Sequence, residues 1–261
     1  MKTAWIIVLC LTISSSVWAA DGRPGIPHRA GADTEELRLL LNAFTALGEN
    51  QMEDALRGLK LMAATSEVQS GKWDEMKGLL GEFGRSGIKA AAVWFARPDG
   101  SYYTVAKDQT GLNLKDRPYF SRLMAGKVVA GDLVISKSTG MRTAVAAVPV
   151  RSGGRVIGAL GASLSVEELS RAIDRQMSLP KGMIFYALDP GGRTSLHRDV
   201  RLLFEYPSDM GSKSLAERVR EMLSKPEGIV HYDFRGKKTV LYKKGPLTGW
   251  TFAVGVAETP Q

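Results

Sequence analysis

Within the stretch DRPYFSRLMAGK, residues 116–127, Arg117, Tyr119 and Phe120 bring a guanidinium, a phenol and an apolar ring into about one helical turn. A guanidinium is a rigid fork of donors whose geometry matches a carboxylate. Tyr119 adds a hydroxyl and an aromatic wall, and Phe120 adds an apolar one. Ser136, Ser138 and Thr139 follow on the next strand and turn, and Tyr103, after the preceding turn, completes the candidate lining. Apolar walls with a few convergent polar groups are the usual make-up of a small-molecule site. A plainer arrangement is open to the same residues. Asp116 would cap a short helix beginning at this Pro, Arg117 would pair with Asp116 or Asp132 at the surface, and the two aromatics would pack beneath the helix.

The tools of an enzyme are not in view elsewhere. His28, His197 and His231 sit in unrelated contexts, with no HExxH or other metal spacing and no GxSxG elbow. The glycines of Gly158-Ala-Leu-Gly-Ala-Ser163 lie in an apolar strand and lack the loop-then-helix setting of a phosphate cradle. Acidic pairs such as Glu35-Glu36 and Glu167-Glu168 fall in helix first turns, where the dipole favours them. No catalytic residue, metal ligand or cofactor is expected.

The elements that must position these residues follow from pattern. MKTAWIIVLCLTISSSVWAADG reads as a secretory signal over 1–19, with Lys2 before an apolar run, Ala4 to Ile13, and cleavage between Ala19 and Ala20. The run is shorter than the roughly 20 residues a membrane span needs, so an uncleaved anchor is the lesser alternative and a periplasmic location the expectation. The single cysteine, Cys10, falls inside that signal, which leaves the exported chain without thiols. With 44% hydrophobic and 24% charged residues the chain can bury a core and stay soluble. The net charge of +8 is interspersed with acidic residues, and its densest cluster, Arg235-Gly-Lys-Lys238 with Lys243-Lys244, reads as a solvated strand edge. No nucleic-acid partner is expected.

Residues 20–32 form a Gly- and Pro-rich leader. Over 33–88, apolar residues from Leu37 to Met62 and from Trp73 to Phe83 recur at helical spacing, with Asp33 opening the first helix and Gly48 a candidate kink. From 89 the period changes to that of strands. AAAVWFARPDGSYYTVA is a strand pair about a turn, the 116–127 helix follows, then three strands with a Ser152-Gly-Gly154 hairpin, then a helix capped by Ser165. The order strand, turn, strand, helix, hairpin, strand recurs over 179–257, where LDPGG answers RPDG, and residues 258–261 form a tail. The fold expected is α+β: a helical stalk, then two modules over 89–178 and 179–257, each with an antiparallel sheet.

The order and spacing of the stalk, the RPDG turn, the DRPYF helix, the SKSTG turn, the VPV and GALGASLS strands, LDPGG and the closing GW strand resemble the double Cache sensor domain. This is the extracytoplasmic PAS-like unit of bacterial chemoreceptors and sensor kinases, and the resemblance spans residues 33–257. It implies a ligand pocket in the first module, with Arg117 on a ligand carboxylate. In the amino-acid-sensing branch the arginine is followed by x-Trp-Tyr and preceded by a Tyr, where this chain has Tyr119, Phe120 and Leu112. The acidic residues with which that branch holds an ammonium correspond here to Ser136 and Ser163. These departures favour a small anion over an amino acid, because burying an unpaired ammonium is costly. RPYF with Ala125-Gly126 and the Ser-Thr-Gly turn also resembles sensors of four-carbon dicarboxylates. With only four residues after the closing strand, the output would pass through a membrane receptor or sensor kinase, or a homodimer through the N-terminal helix. The alternatives are an envelope interaction module with a vestigial pocket, docking through its stalk, and a hydrolase in which His197 or His231 meets a serine.

Overall fold

A computed structural model describes residues 30–85 and 90–257. The expected signal peptide and its cleavage point, His28 and the C-terminal tail lie outside the described residues. Helices α1 (Ala30–Ala63), α2 (Ser66–Gln69) and α3 (Trp73–Arg85) come first. Strands β1 (Ala90–Ala96), β2 (Ser101–Thr104) and β3 (Asp108–Asn113) follow, then α4 (Phe120–Met124), β4 (Val129–Ile135), β5 (Arg142–Ser152), β6 (Arg155–Ser165) and α5 (Val166–Met177). The second half carries β7 (Met183–Leu188), β8 (Thr194–His197), two 3-10 turns, α6 (Lys213–Ser224), β9 (Glu227–Asp233), β10 (Lys237–Lys244) and β11 (Thr251–Ala257).

Two antiparallel sheets result, ordered β3-β2-β1-β6-β5-β4 and β8-β7-β11-β10-β9. The second repeats the order of the first without an equivalent of β3. Turn chemistry sets the hairpins: Gly153 and Gly154 both take positive φ between β5 and β6, as a two-residue turn requires. Strand β3 was not expected from the sequence. Its residues, Asp-Gln-Thr-Gly-Leu-Asn, are almost all exposed, so it lacks the alternation that marks a half-buried strand.

The helical stretch does not stand apart as a stalk. Leu37, Leu41, Phe44, Met52, Leu56, Leu59 and Met62 of α1 join one core with Phe95, Val148 and Leu160 of the first sheet and Phe185, Leu241, Phe252 and Val254 of the second. The apolar stripe of α1 is thus spent on both sheets at once. The helix begins at Ala30 rather than Asp33, and it runs through Gly48, which serves close approach instead of a kink. A Cβ at Gly48 would lie 2.5 Å from Phe252 Cε1, while Phe44 beside it meets Phe185 and Phe252 with ring centroids 4.9 and 5.1 Å apart. One residue on, the buried Glu49 carboxylate accepts from Leu247 N (2.7 Å), Thr248 N (3.2 Å) and Thr248 Oγ1 (2.6 Å), which ties the β10–β11 loop to α1. The opposite face of each sheet carries its own cluster, under α4 in the first half and α6 in the second.

Gly48→Val is expected to destabilise the fold by about 2 kcal/mol through overpacking against Phe252. Gly78→Ala, in α3 where nothing lies within 4 Å, should stabilise by about 0.5–1 kcal/mol through helix propensity. Urea unfolding of both variants checks the pair; a Gly48→Val variant as stable as the parent would show that Gly48 is not a packing position.

Candidate functional site

The DRPYF segment lies over the outer face of the first sheet. Trp94, Tyr102, Leu114, Tyr119, Phe120 and Leu123 pack there on Val145, Ala147 and Ala159. The Trp94 indole lies across Gly161 of β6, where any Cβ would run into its ring. Its Nε1–H donates to Ser163 Oγ at 3.3 Å, and its ring stacks on Tyr119 with centroids 6.4 Å apart. The middle of this face is therefore filled by side chains.

Asp116 does not cap α4, whose first residue follows Tyr119 with no side-chain cap. Instead Lys137 Nζ donates to Asp116 Oδ1 at 2.6 Å and to Asn113 O at 2.7 Å, closing the loop onto the end of β4. With Asp116 held by Lys137 and Asp132 paired with Arg122, Arg117 makes no ion pair with either carboxylate. Arg117 is half-buried; its Nη2 donates to Ile135 O at 2.7 Å, and its Nε is buried with no acceptor. Ile135 is the last of three alternate carbonyls on edge strand β4 that each take a side-chain donor. Gly131 O accepts from Trp250 Nε1 (3.1 Å) and Leu133 O from Arg193 Nη2 (2.7 Å).

A cleft of about 490 Å³ opens along that edge, between the two halves of the chain. Pro118, Tyr119 and Arg122 line one side, β4 the floor, and Asp189, Arg193 and Thr248 the other. It holds two opposed pairs, Arg122 with Asp132 and Arg193 Nε with Asp189 Oδ2 at 3.4 Å. Burial raises the Asp132 pKa above the usual carboxylate value, and Arg122 opposes the rise. Burial likewise raises the Tyr119 phenol, with Arg117 opposing. Tyr119 thus feels Arg117 and Asp132 together and lines the cleft.

The other expected site residues separate. Ser136, Ser138 and Thr139 share a tight turn: Ser136 Oγ lies 3.3 Å from Ser138 Oγ and accepts from Thr139 N. Lys107 Nζ donates to Ser138 O at 2.6 Å. The Ser163 hydroxyl is taken by Trp94. Tyr103 does not join the set. It lies on the opposite face of the sheet, stacked on Trp73 with centroids 5.2 Å apart and capped by Arg97 at 4.9 Å. Arg122, Arg193, Asp189 and Trp94 were not singled out as site residues from the sequence. Only the LDPGG turn marked the region of Asp189 and Arg193, and it carried no sign of the first sheet beside it.

Neither described histidine faces a serine as a base would. His197 Nδ1 accepts from Asp199 N at 2.7 Å, and His231 Nδ1 lies 2.9 Å from Thr239 Oγ1 on an exposed edge. Among the described residues no group of three or more His, Cys, Asp or Glu is placed to hold a metal ion, and no helix is long and apolar enough to cross a membrane.

No family model and no curated protein matches the chain. Solved structures do. The sensor domain of the Vibrio cholerae histidine kinase DctB superposes with a TM-score of 0.68 at 15% identity, over 88% of this chain and 99% of that one. The ligand-binding domain of the Pseudomonas aeruginosa amino-acid chemoreceptor PctB, in complex with L-Gln, gives 0.69 at 15% identity, covering 86% of this chain and 90% of that one. The Campylobacter jejuni chemoreceptor Tlp3 sensory domain, with isoleucine bound, gives 0.64 at 11%, over 87% and 93%. The fold is that of double Cache sensor domains, with its long N-terminal helix and two antiparallel sheets.

Because a raised carboxyl pKa means that the folded state holds the proton more tightly than the unfolded chain, Asp132 withdraws stability as pH rises through its own pKa. Arg122→Leu should push that pKa higher still and enlarge the loss of stability as pH rises above the ordinary carboxylate range. Carbon-detected NMR titration of the Asp132 carboxyl reads it directly; an unmoved midpoint would mean that Arg122 does not hold Asp132 ionised.

Proposed function

With the double Cache fold as its frame, we propose that the protein is an exported, non-catalytic ligand-binding sensor module. It recognises a small carboxylate through Arg117 and passes its ligand state to a membrane receptor or sensor kinase. The observation that carries this reading is the state of Arg117, whose guanidinium is half-buried and, among the described residues, is unpaired with any carboxylate and keeps a buried Nε–H with no acceptor. A buried donor without a partner asks for one, and an anion supplies it. Tyr119 is the neighbouring wall and hydroxyl, and Phe120 braces the turn from within.

PctB and Tlp3 were solved with amino acids bound. Here the hydroxyls of Ser136 and Ser163 are neutral and engaged within the protein, so nothing at those positions balances an ammonium. An organic acid without an amine suits the site better. A homodimer would use the outward residues of α1, where Leu39 and Leu61 are 63% and 69% exposed, because the rest of its apolar stripe is covered.

Trp94 favours a second reading. Its indole fills the sheet face over Gly161, as in an interaction module whose pocket is vestigial.

Thermal shift against a panel of organic acids and amino acids separates the two. Short dicarboxylates should raise the melting temperature more than amino acids, and Arg117→Ala should weaken binding by about 1.5–3 kcal/mol, roughly 10–150-fold. Equal shifts in both proteins would remove Arg117 from the site, and no shift from any acid would leave the vestigial reading.

A further inference from the structure

The second half of the chain carries a half-open pocket of about 200 Å³ between β7, β8 and the segment leading into α6. Its body is apolar, formed by Ile184, Leu202, Pro207, Met210, Leu215 and Phe234. Its few polar groups are poorly served by the protein. Thr194 is 1% exposed, and its Oγ1 is buried with no partner. The Tyr232 hydroxyl donates to the Tyr186 hydroxyl at 3.5 Å, a long bond for two buried phenols, and the Tyr186 hydroxyl donates to Met222 Sδ at 3.6 Å. His197 stacks on Tyr186 with centroids 6.1 Å apart. Burial lowers its pKa to about 4, so the ring is neutral at pH 7. Because Nδ1 accepts from Asp199 N, the ring proton sits on Nε2 and is a donor without a protein acceptor among the described residues.

At the mouth the balance of charge is positive. Lys238 donates to the carbonyls of Phe234 and Gly236, and Asp233 is near enough to act on its charge. Arg235 lies over the Phe234 ring at 5.2 Å and makes no ion pair among the described residues. The acidic lining residue, Asp199, is held in a fork by Arg201 at 2.9 and 2.7 Å. An apolar chamber with the unpartnered Thr194 hydroxyl inside and two cations at its rim fits a ligand that is apolar at one end and anionic at the other. The volume matches a single six-membered ring, since a cavity of about 150 Å³ accommodates benzene.

We propose that the second module is a binding site in its own right, taking a small aromatic monocarboxylate with its ring against Tyr186 and Tyr232 and its carboxylate toward Lys238 and Arg235. The site is separate from Arg117 and does not depend on the reading of the first module.

Fluorine NMR and calorimetric titration of the full exported chain with para-fluorobenzoate test it, with benzyl alcohol as the uncharged ring. Saturable binding of para-fluorobenzoate is expected, with shifts in the His197 ring signals. Lys238→Met should weaken it about tenfold while leaving benzyl alcohol unchanged, and Met210→Trp, which fills the chamber from its rim, should abolish both. Arg117→Ala should have no effect. Absence of saturable binding, binding indifferent to Met210→Trp in a variant that melts like the parent, or loss with Arg117→Ala would each overturn the proposal. Lys238→Met lies on a surface hairpin and keeps the test informative if the tryptophan variant does not fold.

Discussion

The buried carboxylate of Glu49 is the joint on which the arrangement of both sheets rests. An ionised group under protein is costly unless its lone pairs are filled, and Glu49 fills them with two backbone amides and a hydroxyl from the β10–β11 loop. That loop in turn orients Trp250, whose backbone amide donates to Thr248 Oγ1 and whose indole reaches across to Gly131 of β4. A short relay of hydrogen bonds therefore runs from the long helix, through the second sheet, to the edge strand of the first. It forms the floor of the cleft. The helix can serve both sheets because Gly48, beside the joint, lets Phe252 come into contact with its backbone.

Much of this architecture was legible because it is written in local periodicity. The stripe of α1, the apolar runs of β5 and β6, the Ser152-Gly-Gly154 turn and the Ser165 cap depend on neighbours within a few residues, and each formed as the pattern implied. What was not legible depends on distant partners. Strand β3 owes its existence to pairing with β2 rather than to apolar content of its own. The lysine that takes Asp116 away from capping lies on the far side of β4. Tyr102 and Tyr103 show the limit most plainly. Adjacent strand residues face opposite ways, so one of them must lie under the DRPYF segment and the other under the helices, and nothing in the pair itself decides which. For the site, Arg117 was visible as a residue type in a promising turn, but its carbonyl partner and the absence of an ion pair are tertiary facts.

The two halves share a topology and differ in how they treat the corresponding face. In the first, a tryptophan laid on a glycine closes the middle of the sheet and moves open volume to the edge, where charges of both signs meet in opposed pairs. In the second, the face stays partly hollow, its polar groups few and the Thr194 hydroxyl without a partner among the described residues. Duplicated folds diverge readily in this way, because the helical layer secures the sheets from behind and leaves the other face free to change.

The filled carbonyls of β4 carry a consequence for assembly. An unpaired strand margin is normally an invitation to another chain, whether a folding neighbour or a peptide seeking to extend the sheet. Here indole and guanidinium donors already occupy the carbonyls of Gly131, Leu133 and Ile135, so an incoming strand would have to displace a side chain for each of these acceptors that it took. On this margin the protein is sealed against lateral growth, and whatever it meets there must approach through side chains.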